Sequence, residues 1–318
     1  MNQSASKVIA VTGATGAQGG GLVRALVAHP ESGFVARAIT RNPDSDQAKA
    51  LAGLGVEVVK ADLDDETSLV AAFDGAYGAF CITNFWEHFS PAKENEQAAN
   101  MARAAKSAGV SHVVWSTLED VRDFVPLSDD RMPTLMEKYK VPHFDGKGES
   151  NHYFTDEGVP TTFFNTSFYW DNMIYFGMGP KPDEDGTLAI TFPLGDAKLA
   201  GIAAGDIGGC AFGIFTKGSE LIGQTVSVAG GHLSGQEMAD SLSKALGREV
   251  RYNAVSPSLY RSFGFPGAED LGNMFQFNAE FSDQYCAARN LDASRSLNPD
   301  LHSFDQWVTE NISRIPLD

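Results

Sequence analysis

The 318-residue chain is 43% hydrophobic and 20% charged, enough apolar material for a full core in one large domain or two joined ones. Its 41 acidic residues against 24 basic ones give a formal net charge of -17, which repels polyanions; no basic patch offsets it, so no direct nucleic-acid binding is expected. The apolar runs fall far short of the roughly 20 residues of a bilayer span, and the opening MNQSASK lacks the basic start and apolar core of a secretory signal. No membrane partner and a cytoplasmic address, compatible also with the nucleus, are therefore expected.

In chain order, the runs KVIAVT, FVARAIT, VEVVKA, GAFCIT, SHVVWS and PTTFFN read as strands, each followed by a stretch with helical signals. That alternation predicts βαβ units and a parallel sheet, and the lack of clean apolar alternation within the runs predicts helices on both faces. The clearest helix starts where Ser90 can cap and Pro91 takes the first helical position, and it ends before Gly109. After PTTFFN the rhythm becomes irregular, with capping signatures at Ser234/Glu237, closed by Gly247, and at Ser303/Gln306. The fold class expected is α/β, a Rossmann-type doubly wound parallel sheet with a smaller carboxyl-terminal α/β region. Residues 1–165 form the NAD(P)-binding part; residues 166–318 form a smaller substrate or partner region, interleaved with it rather than tethered. The three cysteines, Cys81, Cys210 and Cys286, fit no zinc spacing, so reduced thiols and no metal site are expected.

Between the first strand and its helix lies TGATGAQGG. Gly13, Gly16 and Gly19 allow a tight turn, close approach of backbone to a pyrophosphate, and tight helix–strand packing. The loop residues Thr12, Gly13, Thr15, Gly16, Ala17, Gln18 and Gly19 are thus candidate cofactor contacts, with the positive helix end facing the anion. The second strand runs into TRNP: Arg41 follows it and no acid stands at the strand tip, the arrangement suited to a 2′-phosphate. NADP(H) is expected in preference to NAD(H). Further strand ends place Asp62 and Leu63 for the adenine, and Thr83, Asn84 and Phe85 for the pyrophosphate-to-nicotinamide stretch; a structural loop role stands beside each. NFWEHF reads equally well as a flap over the site or as a core-facing turn.

The segments TGATGAQGG, TRNP, TNFWE, HFDGKGE, GFPGAEDLGNMF and LNPDLHSFDQW, in this order, resemble the NmrA-like family, atypical members of the short-chain dehydrogenase/reductase superfamily. The resemblance is closest to its animal redox-sensor branch, whose members bind NADPH and change assembly or partners with its level. It implies a Rossmann domain, a small carboxyl-terminal region and NADP(H). Ordinary members of the superfamily use a tyrosine four residues before a lysine, yet no tyrosine here has a lysine at that spacing. HFDGK takes that place, with His143 four residues before Lys147, which matches the NmrA-like pattern. Either Lys147 binds the nicotinamide ribose while His143 is structural, or Lys147 or His143 supplies a proton for reduction. The segment NTSFYWDNM resembles the family stretch that closes over the nicotinamide, which makes Phe168, Tyr169 and Asn172 candidate contacts and Trp170 a core anchor. The leading expectation is an NADP(H)-binding regulatory protein or redox sensor without ordinary turnover. The alternative is an NADPH-dependent reductase of a small carbonyl, quinone or enone. Candidate partners are a regulatory protein, a small-molecule substrate and a second copy in a homodimer.

Overall fold

The computed structural model describes residues 6–317; the start of MNQSASK and Asp318 lie outside them. All six sequence-predicted strands form: β1 (Lys7–Val11), β2 (Phe34–Thr40), β3 (Glu57–Lys60), β4 (Gly78–Cys81), β5 (His112–Thr117) and β6 (Thr161–Asn165). The rest of the chain adds β7 (Phe168–Tyr169), β8 (Lys181–Pro182), β9 (Leu188–Phe192), β10 (Leu199–Ile202), β11 (Thr225–Ser227), β12 (Gly231–Leu233) and β13 (Val250–Ala254). The main sheet runs β11-β6-β5-β4-β1-β2-β3, all parallel. Its reversal of strand order between β1 and β4 opens a crevice at the carboxyl ends, where open α/β sheets bind ligands. β11, three residues at the sheet edge, is too short to show a period in the sequence.

Side chains alternate across this sheet as strand geometry requires. Ile9, Val11, Phe80 and Val114 enter one core, packed by helices Ala17–Ala28 and Ala204–Lys217. Ala10, Cys81, Val113 and Trp115 enter the other, beneath helices Glu66–Phe73 and Pro91–Ser107. The first two helices meet through glycine: a Cβ on Gly208 would lie 2.0 Å from the backbone of Gly21 and Leu22. A third core, with Trp170, Phe192, Phe275, Phe304 and Trp307, holds the smaller β12-β10-β7 and β13-β9-β8 sheets together with their helices. Trp170 is buried there as an anchor, 5.3 Å from Phe304 between ring centres.

Local chemistry sets the helix ends. Ser90 Oγ accepts from the Lys93 N–H, with Pro91 at the start of the helix. Both expected capping boxes form, at Ser234/Glu237 and Ser303/Gln306, and Gly247 ends its helix in the left-handed conformation. Cys81 and Cys210 are buried free thiols, raised in pKa by burial, while Cys286 is partly exposed.

His112, fully buried on β5, meets Thr162 Oγ1 through Nε2 at 2.9 Å while its Nδ1 has no partner among the described residues. Burial pushes its pKa from 6.5 down to about 4. The unfolded chain therefore takes up a proton here before the folded one does. The stability contribution of neutral His112 is complete above its unfolded pKa and is lost as pH falls from there toward about 4. A loss of about 2 kcal/mol between pH 7 and pH 5 is expected from this residue. Urea unfolding of wild type and His112→Gln at both pH values checks it: parallel pH dependences would remove His112 as the cause.

Candidate functional site

At the crevice, Gly13 takes φ +59°, which lets the chain turn off β1, and the Gly16 N–H closes the turn on the Gly13 carbonyl at 2.9 Å. A Cβ on Gly19 would lie 2.5 Å from the Gly13 carbonyl oxygen, so only glycine lets the helix start this close to the strand. No side chain caps helix Ala17–Ala28. Its first amides therefore remain available to an anion, at the positive end of the helix.

This loop opens onto a cavity of about 1170 Å³. Thr12, Gly13, Thr15, Gly16, Ala17, Gln18 and Gly19 line it, as do Arg41, Asp62, Leu63, Thr83, Asn84 and Phe85. His143, Lys147, Phe168, Tyr169 and Asn172 complete the set, so every candidate cofactor-contact or proton-donor residue lines one space.

Several of these side chains already have protein partners. Thr12 is fully buried and its hydroxyl ties the strand ends together, donating to the Phe80 carbonyl at 3.1 Å and accepting from the Ile82 N–H at 2.9 Å. The Gln18 amide bridges Ser116 Oγ, at 2.8 Å, and the Tyr169 hydroxyl. Arg41 Nη1 stands 2.6 Å from Glu87 Oε1 across the mouth, with both side chains largely exposed. NFWEHF forms one turn, helix Phe85–His88: Phe85 is buried, and with Trp86, Glu87 and Phe89 it lines the cavity.

Lys147 lies on helix Pro142–Glu149, where Nζ meets Thr83 Oγ1 at 2.6 Å, Glu94 Oε1 at 3.1 Å and the Thr83 carbonyl at 3.3 Å. The Thr83 hydroxyl in turn donates to Glu94 at 2.6 Å. Glu94 is fully buried and was not singled out in the sequence, although it shares the stripe of Ala98, Met101 and Ala105 on its helix. An acid on an otherwise buried stripe was the available signal.

His143, one turn before Lys147, is held by a second unanticipated acid. Its Nδ1 lies 2.6 Å from Asp270 Oδ1 and its backbone N–H donates to Asp270 Oδ2 at 3.2 Å, with both side chains buried. Trp86 and Phe144 flank the ring, each 4.8 Å away between ring centres. The same cavity is also lined by Phe176, Tyr260, Phe263, Phe265 and Met274, an apolar chamber wall supplied by later parts of the chain. Burial raises the phenol pKa values of Tyr169, Tyr260 and Tyr285, so each tyrosine at this cavity stays neutral and none offers a phenolate.

A model of the NmrA-like family matches residues 5–308. The chain is 30% identical over 305 residues to the NmrA-like family domain-containing oxidoreductase FrzB of a Cladobotryum species, covering 90% of this chain and 88% of that protein. Among solved structures, NmrA, a negative transcriptional regulator, in complex with NADP superposes with a TM-score of 0.78 at 24% identity, over 96% of this chain and 95% of that one. A Citrobacter triphenylmethane reductase complexed with NADP(H) does so with a TM-score of 0.73 at 23% identity, over 95% and 99%. These two likenesses carry the fold. The family match, running almost end to end through the glycine loop, the Lys147 helix and the carboxyl-terminal region, shows that the chain belongs to the NmrA-like family.

Proposed function

We propose that the protein is an NADP(H)-dependent oxidoreductase that reduces an apolar carbonyl, quinone or enone. The observation that carries this reading is that the apolar side chains Phe176, Phe263, Phe265 and Met274 line the same cavity as the glycine loop, His143 and Lys147. A pure cofactor holder has no need of that space; a reductase needs it beside the nicotinamide. The residues fit the nucleotide: uncapped amides at the helix start for the pyrophosphate, a cradle that a Cβ on Gly19 would fill, Arg41 for a 2′-phosphate, and Lys147 for the ribose. NADP in NmrA and NADP(H) in the triphenylmethane reductase, together with oxidoreductases among the relatives, support the same choice. When bound, the reduced nicotinamide would supply a hydride. The chain's own part is to orient it, exclude water with Trp86, Phe168 and Phe263, and supply a proton.

The redox-sensor reading stands second, with a regulatory protein as partner. The Arg41–Glu87 pair favours it, because it joins the proposed 2′-phosphate pocket to helix Phe85–His88 at the cavity mouth. A nucleotide that binds one arrangement only, at a hundredfold excess over its Kd, shifts the balance by about 2.7 kcal/mol.

The deciding experiment mixes purified protein and NADPH with a panel of apolar aldehydes, ketones, quinones and enones and follows dihydronicotinamide absorbance together with product. Stoichiometric loss with at least one substrate is expected. Tight NADPH binding that changes sedimentation or protease sensitivity, with no turnover across the panel, would replace the reductase by the sensor.

A further inference from the structure

We propose that Asp270 is a positioning residue that makes His143 the proton donor of the site, and that Lys147 is a fixed cation rather than an acid. The proposal rests on the reductase reading above and decides between the two proton sources it leaves open.

An ammonium has three N–H donors. Those of Lys147 have three acceptors within reach, Thr83 Oγ1, Thr83 O and Glu94 Oε1, and the last belongs to a fully buried carboxylate. Giving up a proton would leave Glu94 as a buried charge without its cation, a costly state. Lys147 is therefore held against Glu94, and a ribose hydroxyl would take over one of its two Thr83 contacts.

His143 is arranged differently. Asp270 accepts from both its backbone N–H and its ring Nδ1, so one carboxylate fixes the start of the helix and the ring together. A carboxylate in that position demands a proton on Nδ1 and leaves Nε2 as the nitrogen that can exchange one. Nε2 makes no hydrogen bond to the described residues. His143 borders the cavity and Asp270 does not, so the ring presents its other edge to that space. Trp86 and Phe144, each 4.8 Å away, keep the ring from turning. Asp270 comes from helix Ala268–Glu280, in the part of the chain that also supplies Tyr260, Phe263 and Phe265 to the chamber. The segment that shapes the substrate space thus also sets the histidine.

In the step this geometry would serve, a bound reduced nicotinamide would supply a hydride to the carbonyl carbon, and the C=O π pair would move onto oxygen. That oxygen takes the proton from His143 Nε2, which leaves a neutral imidazole with Nδ1–H still on Asp270. Water at the cavity mouth then returns a proton to Nε2. The carbonyl would be reduced by two electrons, the dihydronicotinamide oxidised by two, and the positive charge lost by the ring restored by a proton from solvent.

Two measurements test this. In the ¹⁵N-imidazole spectrum of the cofactor-free protein, neutral His143 is expected as the Nδ1–H tautomer, and Asp270→Ala is expected to move it toward Nε2–H. An Nε2–H wild-type tautomer, or one indifferent to Asp270→Ala, overturns the positioning role. In turnover with the carbonyl found above, His143→Asn is expected to lower kcat by about 100-fold or more with the Kd for NADPH unchanged. Asp270→Ala should lower kcat by about tenfold or more with the same split. Should Asp270→Ala fail to fold, the wild-type tautomer and His143→Asn carry the test. His143→Asn turning over at the wild-type rate overturns the proton-donor role and leaves the reductase reading standing. A wild-type protein that turns over no carbonyl overturns the reductase reading itself, and the proton step with it.

Discussion

An Arg41→Ala variant is expected to bind NADPH about 10- to 100-fold more weakly than wild type while its affinity for NADH stays nearly unchanged. A charge-assisted hydrogen bond contributes about 1.5–3 kcal/mol, and each 1.4 kcal/mol is a factor of ten. Arg41 is an exposed guanidinium paired with Glu87, so a 2′-phosphate has to win it from that carboxylate. Glu87→Gln is therefore expected to act in the opposite direction: it frees Arg41 and removes a negative charge beside the phosphate, and it tightens NADPH more than NADH. Isothermal titration of both nucleotides with both variants measures the four affinities. Equal effects on NADPH and NADH would remove Arg41 from the 2′-phosphate site. Looser NADPH binding in Glu87→Gln would show that Glu87 supports Arg41 rather than competing for it.

The largest loss of stability is expected at Arg289. This guanidinium is wholly buried, forks onto both Glu119 oxygens at 2.7 and 2.9 Å, and donates to the Thr166 carbonyl from Nε and Nη2. Its Cζ lies 3.5 Å from the centre of the Tyr285 ring. Arg289→Met should cost about 3–5 kcal/mol, because Glu119 keeps its charge in a poorly solvated place and the carbonyl loses its donors. Adding Glu119→Leu should recover much of that loss, since replacing a buried pair with apolar side chains is often neutral. Urea midpoints at constant m-value distinguish the outcomes; a single variant within 1 kcal/mol of wild type would mean that water solvates Glu119. The site feels this too, because Thr166, Ser167 and Phe168 lead directly from the Arg289 contact into the cavity wall.

How much of this is legible in the sequence depends on the range over which each feature acts. Ser90, Ser234 and Ser303 cap helices through residues three places away, and Gly13 turns the chain at the end of its own strand. Such features need no knowledge of the fold. Six of the seven strands of the main sheet are likewise readable, since each is an apolar run bounded by turn residues. The shared cavity follows from strand order, which brings Arg41, Asp62, Thr83 and Lys147 to one edge. What stays hidden is the buried charge. Asp270 meets His143 across 127 positions and Glu119 meets Arg289 across 170, and in the sequence each acid looks like the many surface acids around it. The apolar chamber is hidden for a related reason: Phe263 and Phe265 fall in a Gly/Pro-rich stretch without a period, so no pattern says which way they face.

The glycine contact between helices Ala17–Ala28 and Ala204–Lys217 bears on how chains of this kind exchange parts. The two backbones touch where Gly208 meets Gly21, so the helix that follows the glycine loop is seated by residues nearly two hundred positions downstream. β11 closes the same sheet from further along still. A recombination point near residue 165 would therefore sever one core rather than join two. A donor sequence that brings any side chain to position 208 would push the glycine loop out of register, however well its own half were folded. An exchange of halves in this architecture would have to preserve the Gly21–Gly208 contact, whereas changes at Phe263 and Phe265 leave it untouched.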